Sequence, residues 1–219
     1  MERQFNFSAG PGTLPLEVLQ EAQDEMLVYR DAGASVIEIS HRSPQYTAVV
    51  DSARSLLREL LGIGDDWSIL FLQSGASLQF YQAPLNFLTG QTCADYVITG
   101  AWAKKAHKEA SMIGDARIAA SSADSNFSYI PDTSTWKVSE DAAYLHMTSN
   151  NTIYGTQIKG DPDVGVPLIC DASSDFLSRP IDMSKYGLMY AGAQKNIGPA
   201  GATVVLVRPD FLKRIPDGL

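Results

Sequence analysis

Asp171 and Lys195 are two residues whose types and placement could do chemistry together. Asp171 ends the apolar run over residues 166–170, and Lys195 follows the apolar run over residues 186–193. Because α/β folds place their functional groups at the carboxyl ends of the strands, we expect both side chains to enter one crevice. A buried acid and a reactive lysine are the groups that pyridoxal phosphate requires, the acid for its ring nitrogen and the lysine for a Schiff base. The pair therefore predicts a pyridoxal-phosphate site.

A turn of small residues could supply a seat for a phosphate group. Residues 74–77 (Ser-Gly-Ala-Ser) lie between a predicted strand and a predicted helix, so the N–H groups of the first helical turn could bind an anion. A purely structural turn is the alternative, because strand–glycine–helix connections are common. Residues 10–12 (Gly-Pro-Gly) are interpreted as another turn, which could lie near the site.

Four further residues have both a functional and a structural interpretation. Trp102 follows a predicted strand among small neighbours, so its ring could stack on a cofactor or fill the core. Thr152 lies in a polar loop after another strand, where it could contact a ligand or be an ordinary turn residue. His41 and Arg42 form a basic pair in a turn, and such a pair is either a solvated surface or a seat for an anionic substrate.

The other histidines and the cysteines are interpreted as structural. His107 lies among lysines and is predicted to belong to a solvated helix face, and His146 lies within a predicted strand, where a core histidine is favoured over a ligand. Cys93 and Cys170 lie in or beside apolar runs and are predicted to be buried free thiols. No spacing of His, Cys, Asp or Glu indicates a metal site.

The elements that must position these residues alternate along the chain. Helices are predicted over residues 16–29, 45–61, 78–88 and 103–113, and strands over residues 67–73, 93–99, 116–120, 143–148, 167–171, 188–193 and 203–207. This alternation predicts an α/β fold with a mostly parallel sheet flanked by helices. Strand 67–73 is nearly all apolar, which predicts a parallel strand buried on both faces. A short extended segment is predicted over residues 35–40. Apolar residues of helix 45–61, including Leu56 and Leu60, predict its core face.

The composition sets bounds on the class of protein. The chain has 219 residues, of which 45% are hydrophobic and 19% charged, and this suits one large domain or one and a half. The net charge of −8 argues against a nucleic-acid partner or a membrane surface. No apolar run is long enough to span a membrane, and the first residues show no apolar signal segment. We therefore expect a cytoplasmic protein.

Seven segments of the chain together resemble the phosphoserine aminotransferases, which are pyridoxal-phosphate enzymes of the fold-type I aspartate aminotransferase superfamily. The segments follow the order of that family and are residues 6–12 (NFSAGPG), 38–43 (EISHRS), 72–80 (LQSGASLQF), 100–102 (GAW), 151–155 (NTIYG), 170–174 (CDASS) and 190–201 (YAGAQKNIGPAG). The resemblance implies a three-layer αβα large domain over residues 16–219. It also implies that residues 1–15 form an N-terminal arm belonging to a small domain.

The resemblance also implies a role for each candidate residue. Lys195 would form the Schiff base, Asp171 would hold the ring nitrogen, and Trp102 would stack on the ring. Thr152 would contact the ring hydroxyl. The residues that would bind the cofactor phosphate are Gly75, Ala76, Ser77 and Gln194. The residues that would receive the substrate phosphate or the carboxylate of glutamate are His41 and Arg42.

The implied reaction converts glutamate and 3-phosphohydroxypyruvate to 2-oxoglutarate and phosphoserine in serine biosynthesis. Many members of the family also act on a phosphorylated hydroxythreonine in vitamin B6 synthesis, and superfamily members form homodimers. Members of the family are longer than this chain and carry a C-terminal segment that completes the small domain and the substrate site. We therefore expect a fragment that is truncated at its C-terminal end and is weakly active or inactive.

Two alternatives remain open from the residues. The first is another fold-type I enzyme, such as a cysteine desulfurase or a lyase; a desulfurase requires a mobile catalytic cysteine, whereas both cysteines of this chain are predicted to be buried. The second is a non-catalytic oligomerisation module that retains the fold.

Overall fold

A seven-stranded sheet forms the centre of the computed structural model, which describes residues 3–216. In the order in which they lie across the sheet, the strands are β1 (Ser68–Gln73), β9 (Ala202–Val207), β8 (Tyr186–Gly192), β7 (Leu168–Asp171), β4 (Ala142–Thr148), β2 (Cys93–Ile98) and β3 (Ala116–Ser121). The short strands β5 (Asn150–Asn151) and β6 (Thr156–Gln157) form a separate hairpin.

The sheet is mostly parallel, as the alternation of elements predicted. Strands β8, β7, β4, β2 and β3 all run parallel to one another. Strand β9 pairs antiparallel with both β8 and β1. The parallel strands therefore bring the carboxyl ends of β4, β7 and β8 to one edge of the sheet.

The prediction of a parallel, doubly buried strand at residues 67–73 is wrong. Strand β1 lies at the edge of the sheet and is antiparallel to β9, its one neighbour in the order of the sheet. Leu70 is 42% exposed and Phe71 is 39% exposed. Apolar composition alone does not distinguish a central strand from an edge strand whose side chains are left open.

Within residues 3–216, five α-helices accompany the sheet, namely α1 (Leu16–Asp24), α2 (Pro44–Leu61), α3 (Gln79–Phe87), α4 (Ala101–Ala110) and α5 (Pro209–Leu212). Helix α2 has clear ends. The hydroxyl of Ser43 accepts a hydrogen bond from the N–H of Tyr46 at its start, and Gly62 ends it in the left-handed conformation at φ 63°.

Three local predictions differ from the structure. Residues 35–40 form turns in place of an extended segment, and α1 ends at Asp24, earlier than predicted. On α2 the buried residues are Leu57 and Leu61, whereas Leu56 and Leu60, predicted for the core, are more than half exposed. Periodicity finds the apolar face of a helix, but it does not show what covers that face.

Two hydrophobic cores lie on the two faces of the sheet, so the structure confirms the layered αβα architecture. One core joins α2 to the segments that carry Trp136 and Phe176, and the other joins α3, α4 and α5 to the opposite face. Cys93 and Cys170 are free and buried, as predicted. Within residues 3–216, no helix is both long and apolar enough to cross a membrane.

Candidate functional site

A cavity lies at the edge of the sheet where β4, β7 and β8 end. Its empty volume is about 490 Å3 when the open solvent at its mouth is included. The residues that line it are Gly75, Ala76, Ser77, Phe80, Trp102, Thr148, Asn150, Asp171, Ser173, Ser174, Gln194 and Lys195. The cavity therefore collects one cation, one anion, two aromatic rings and a glycine turn from separate parts of the chain.

Lys195 is the cation of this cavity and is half-buried. It follows β8, and its Nζ donates a hydrogen bond of 2.5 Å to Oγ1 of Thr152. The same Nζ lies 5.6 Å from the centroid of the Trp102 ring. Burial lowers the pKa of Lys195, and the nearby charge of Asp171 opposes that shift. A lysine with a lowered pKa is neutral more often, which favours its action as a nucleophile or a base.

Asp171 is the anion of the cavity and is 5% exposed. Its Oδ1 accepts hydrogen bonds from the N–H of Ser173 at 3.1 Å and from the Ser173 hydroxyl at 2.6 Å. The N–H of Gly192 donates to that hydroxyl oxygen at 3.0 Å, so β8 holds the serine in place. Burial raises the pKa of Asp171 above its ordinary value, although the bonds from Ser173 and the charge of Lys195 act to lower it. A cation beside this carboxyl group, such as a protonated ring nitrogen, would favour its ionised form.

The turn after β1 provides a binding site for an anion. A Cβ atom added to Gly75 would meet nothing within 4 Å, so the space beside this residue is open to a ligand. A short 3-10 helix (Ala76–Leu78) and α3 follow at once, and the first N–H groups of such a turn lack intrahelical partners. A Cβ atom at Gly192 would lie 2.8 Å from Oε1 of Gln194, so the glycine makes room for that side chain beside the turn.

Two buried polar atoms of the cavity wall are left without partners. Within residues 3–216, Nε1 of Trp102 and Oγ1 of Thr148 are buried and have no hydrogen-bond partner. Buried polar groups without partners are rare and costly, and at a cavity wall they indicate a place for a ligand. The whole set fits a flat ligand that carries an anionic group, a protonated ring nitrogen and a group that reacts with an amine.

The N-terminal segment lies against Lys195 and Gln194 of the site, a proximity that the sequence indicated only loosely. The N–H of Gly12 donates a hydrogen bond of 2.6 Å to the carbonyl of Gln194. A Cβ atom at Gly10 would lie 3.2 Å from Cγ of Lys195. The glycines therefore let this segment pass close to the lysine.

Of the eight residues predicted to bind the cofactor, the structure brings seven into the cavity wall, and the eighth, Thr152, contacts Lys195. His41 and Arg42 are not among the residues that line this cavity; both are exposed in a turn before α2. Sequence reasoning missed five residues of the wall, namely Phe80, Thr148, Asn150, Ser173 and Ser174. Ser173 and Ser174 could have been predicted because they are close to Asp171 in the sequence. Thr148 could have been predicted because it ends a predicted strand. No group of His, Cys, Asp and Glu suited to a metal ion occurs in the described part of the chain.

The fold and the site together define a class of protein. A mostly parallel sheet that presents a lysine and a buried acid in one cavity at its carboxyl edge is the arrangement of an aminotransferase large domain. The sequence profile of the aminotransferase class-V family matches residues 4–218. The chain belongs to this family.

Relatives within the family are similar over the whole of this chain. A phosphoserine aminotransferase of Geobacillus kaustophilus (strain HTA426) is 53% identical over 219 residues, which are all of this chain and 61% of that protein. The solved structure of phosphoserine aminotransferase from Bacillus circulans subsp. alkalophilus has a TM-score of 0.95 and 52% identity and covers 100% of this chain and 61% of that one. The phosphoserine aminotransferase from Trichomonas vaginalis, described as PLP-bound, has a TM-score of 0.92 and 43% identity and covers 99% of this chain and 65% of that one. The chain therefore spans about three fifths of the length of its relatives.

Proposed function

We propose that the chain carries the pyridoxal-phosphate site of a phosphoserine aminotransferase, which transfers an amino group between glutamate and 3-phosphohydroxypyruvate. The observation that carries the proposal is that Lys195 Nζ, held by Thr152 and facing the Trp102 ring, shares one cavity with buried Asp171. The similarity to three phosphoserine aminotransferases, one of them described as PLP-bound, supports the same substrates and cofactor.

When bound, the cofactor supplies an aldehyde that carries the amino group and a ring that withdraws electrons from the reacting carbon. Lys195 would hold the cofactor through Nζ. The neutral Lys195 amine would take the proton from the α-carbon of glutamate, and burial favours this neutral form. The Asp171 carboxylate keeps the proton on the ring nitrogen, and Trp102 covers the ring and excludes water.

The remaining residues of the site bind and orient the cofactor. The backbone N–H groups of Ala76 and Ser77, with Gly75 giving access, bind the cofactor phosphate, and the Gln194 amide adds a side-chain donor. The Thr152 hydroxyl, which accepts a hydrogen bond from Lys195 in the structure, would contact the ring hydroxyl of a bound cofactor.

His41 and Arg42 bind the anionic groups of the substrates in this proposal. Because they are exposed and do not line the cavity of their own chain, we assign them to the cavity of a second copy in a homodimer. The large exposure of Phe5 (95%) and Phe7 (93%) supports an apolar contact between copies.

A cytoplasmic location belongs to the same proposal, because two buried free thiols suit a reducing compartment. The proposal also includes activity on a phosphorylated hydroxythreonine in vitamin B6 synthesis.

A single-turnover reaction tests the proposal and is sensitive enough for a weakly active chain. The chain is loaded with pyridoxal phosphate and mixed with glutamate, and 2-oxoglutarate is measured. We expect 2-oxoglutarate from the unmodified chain, none from Lys195→Ala, and the normal amount from Lys104→Ala, which changes an exposed lysine. Subsequent addition of 3-phosphohydroxypyruvate should give phosphoserine. Release of ammonia or sulfide from amino acids in place of 2-oxoglutarate would favour a lyase or a desulfurase, and no cofactor binding would favour the oligomerisation module.

A further inference from the structure

Asp175 is a buried acidic residue that does not line the candidate cavity. Its side chain lies in the turn after β7 and is largely hidden, since the residue is 8% exposed. In the part of the chain that the structure describes, no lysine, arginine or histidine forms an ion pair with it. A carboxyl group is costly to bury unless its oxygens accept hydrogen bonds, so the partners of those oxygens indicate what the residue does.

Each carboxyl oxygen of Asp175 bonds to a different arm of the hairpin that β5 and β6 form. Oδ1 accepts a hydrogen bond of 2.5 Å from the hydroxyl of Ser149, the residue that precedes β5. Oδ2 accepts a hydrogen bond of 3.0 Å from Nε2 of Gln157, which belongs to β6. A carboxylate can accept at both oxygens at once, whereas a side-chain amide of the same shape cannot. Asp175 therefore ties both arms of the hairpin, at its base, to the turn after β7.

The far end of this hairpin carries Thr152, the residue that bonds to Lys195. Residues 152–155 form the turn between the two strands, and the N–H of Gly155 donates to the carbonyl of Asn151 at 2.8 Å. Each strand has only two residues, and a two-stranded hairpin is marginally stable without further support. The position of the Thr152 hydroxyl therefore depends on what anchors the base of the hairpin.

The segment that carries Lys195 is anchored to the same turn after β7. Nδ2 of Asn196 donates a hydrogen bond of 2.7 Å to the carbonyl of Phe176, the residue next to Asp175. The carriers of Thr152 and Lys195 are thus bound to two adjacent residues of one turn. This common anchor sets the position of the hydroxyl relative to the amine.

We infer that Asp175 is a positioning residue for the bond between Thr152 and Lys195: its carboxyl group holds the base of the hairpin, and the hairpin holds the Thr152 hydroxyl at the lysine amine. This inference rests on the proposed function, because that function assigns the attachment of the cofactor to Lys195. Small displacements of groups around a reacting atom reduce rates, so a support of this kind affects the chemistry without touching the cofactor.

Amide hydrogen exchange of the cofactor-free chain tests whether Asp175 holds the hairpin. Asp175→Ala removes both acceptors, so exchange at Gly155 should become at least about fivefold faster, with an unchanged near-ultraviolet circular dichroism spectrum that shows an intact core. Asp132→Ala is the matched control, because it removes an exposed carboxylate that caps a short 3-10 helix elsewhere in the chain. It should leave exchange at Gly155 within about twofold.

A double-mutant cycle tests whether Asp175 acts through Thr152. Stopped-flow absorbance gives the rate at which pyridoxal phosphate attaches to Lys195. Thr152→Val and Asp175→Ala should each slow attachment roughly three- to fivefold. The double variant should be at most about sevenfold slower than the unmodified chain, because the position of the hairpin no longer matters once the hydroxyl is gone. Independent effects would multiply to about tenfold or more.

Gln157→Met provides the same measurements should Asp175→Ala fail to fold. Methionine keeps the length of this half-buried side chain but removes the donor to Asp175, so only one arm of the hairpin is released. Exchange at Gly155 should become at least about twofold faster. Attachment of pyridoxal phosphate should slow about twofold, and in the Thr152→Val background it should not slow further.

The outcomes separate this inference from the proposed function. A Lys195 that does not react with pyridoxal phosphate in the unmodified chain would remove the proposed function, and the inference with it. Attachment to Lys195 with effects that multiply in the double variant would overturn the inference alone, since a general loosening of the fold predicts that result. Exchange at Gly155 that stays unchanged in the Asp175 or Gln157 variant would overturn it as well.

Discussion

Lys195 Nζ donates a 2.5 Å hydrogen bond to Oγ1 of Thr152, and this bond joins the segment after β8 to the hairpin loop after β4. The two residues are far apart in sequence: Lys195 lies three residues after the end of β8, and Thr152 lies in the turn between β5 and β6. The bond holds the amine above the cavity, and it gives the half-buried nitrogen one partner.

Thr152→Val should slow the reaction of Lys195 with pyridoxal phosphate. Valine keeps the shape of the side chain but removes the acceptor, so the amine loses its fixed position at a cost of about 1 kcal/mol, or roughly fivefold in rate. Stopped-flow absorbance measures the rate of attachment. Thr152→Ser keeps the hydroxyl and is the matched control. Equal rates for the valine and serine variants would show that the bond does not position the lysine.

Gly12→Ala should release the N-terminal segment from the site. A Cβ atom at Gly12 would lie 2.5 Å from the carbonyl oxygen of Lys195, and backbone cannot move aside as a flexible side chain does. The exposed segment would instead swing outward and lose the bond from the Gly12 N–H to Gln194. Amide hydrogen exchange at residue 12 should become at least about fivefold faster.

Gly198→Ala is the control for the Gly12 variant. It adds the same methyl group beside the same segment, but its Cβ would meet the Cβ of Ala193 at an ordinary 3.5 Å. We expect unchanged exchange at residue 12 in this variant. Unchanged exchange in Gly12→Ala as well would mean that the segment does not depend on the close approach.

The sequence predicted the parallel part of the sheet well, because its strands are short apolar runs that end in small or polar residues. The end of β7 at Asp171 and the placement of Lys195 after β8 followed from those runs. The edge position of β1 was not predictable, because an apolar strand looks the same at the edge and in the centre. The pattern of apolar residues in α2 also did not predict that Leu56 and Leu60 are more than half exposed.

The candidate site was predictable where a residue follows a strand and was missed where a contact depends on packing. Trp102 and Thr152 were found because each follows a strand. The approach of Gly12 to Gln194 could not be predicted, because it joins segments distant in the chain. His146 was interpreted as a core residue, which its burial agrees with, but its bond to Tyr190 needed the strand register.

His146→Gln should change how stability depends on pH. Burial lowers the pKa of His146 from 6.5 to about 3, so the folded chain holds the ring neutral while the unfolded chain binds a proton below pH 6.5. The contribution of the neutral ring is therefore complete above that pH and is lost as the pH falls towards 3. The free energy of unfolding of the unmodified chain should drop relative to His146→Gln by up to about 1.4 kcal/mol per pH unit.

Urea unfolding at several pH values between 7 and 4 measures this difference. His41→Gln changes an exposed histidine and is the control, for which we expect little pH-dependent difference from the unmodified chain. A difference between the unmodified chain and His146→Gln that stays constant over this range would show that the ring is accessible to protons in the folded state.

The site of covalent attachment tests the central claim most directly. The chain is incubated with pyridoxal phosphate, reduced with borohydride, digested and mapped by mass spectrometry. We expect one major adduct on the peptide that carries Lys195, its loss in Lys195→Ala, and its full retention in Lys104→Ala, which changes a lysine exposed on α4. Adducts spread over surface lysines at equal levels, with no change in Lys195→Ala, would contradict the account.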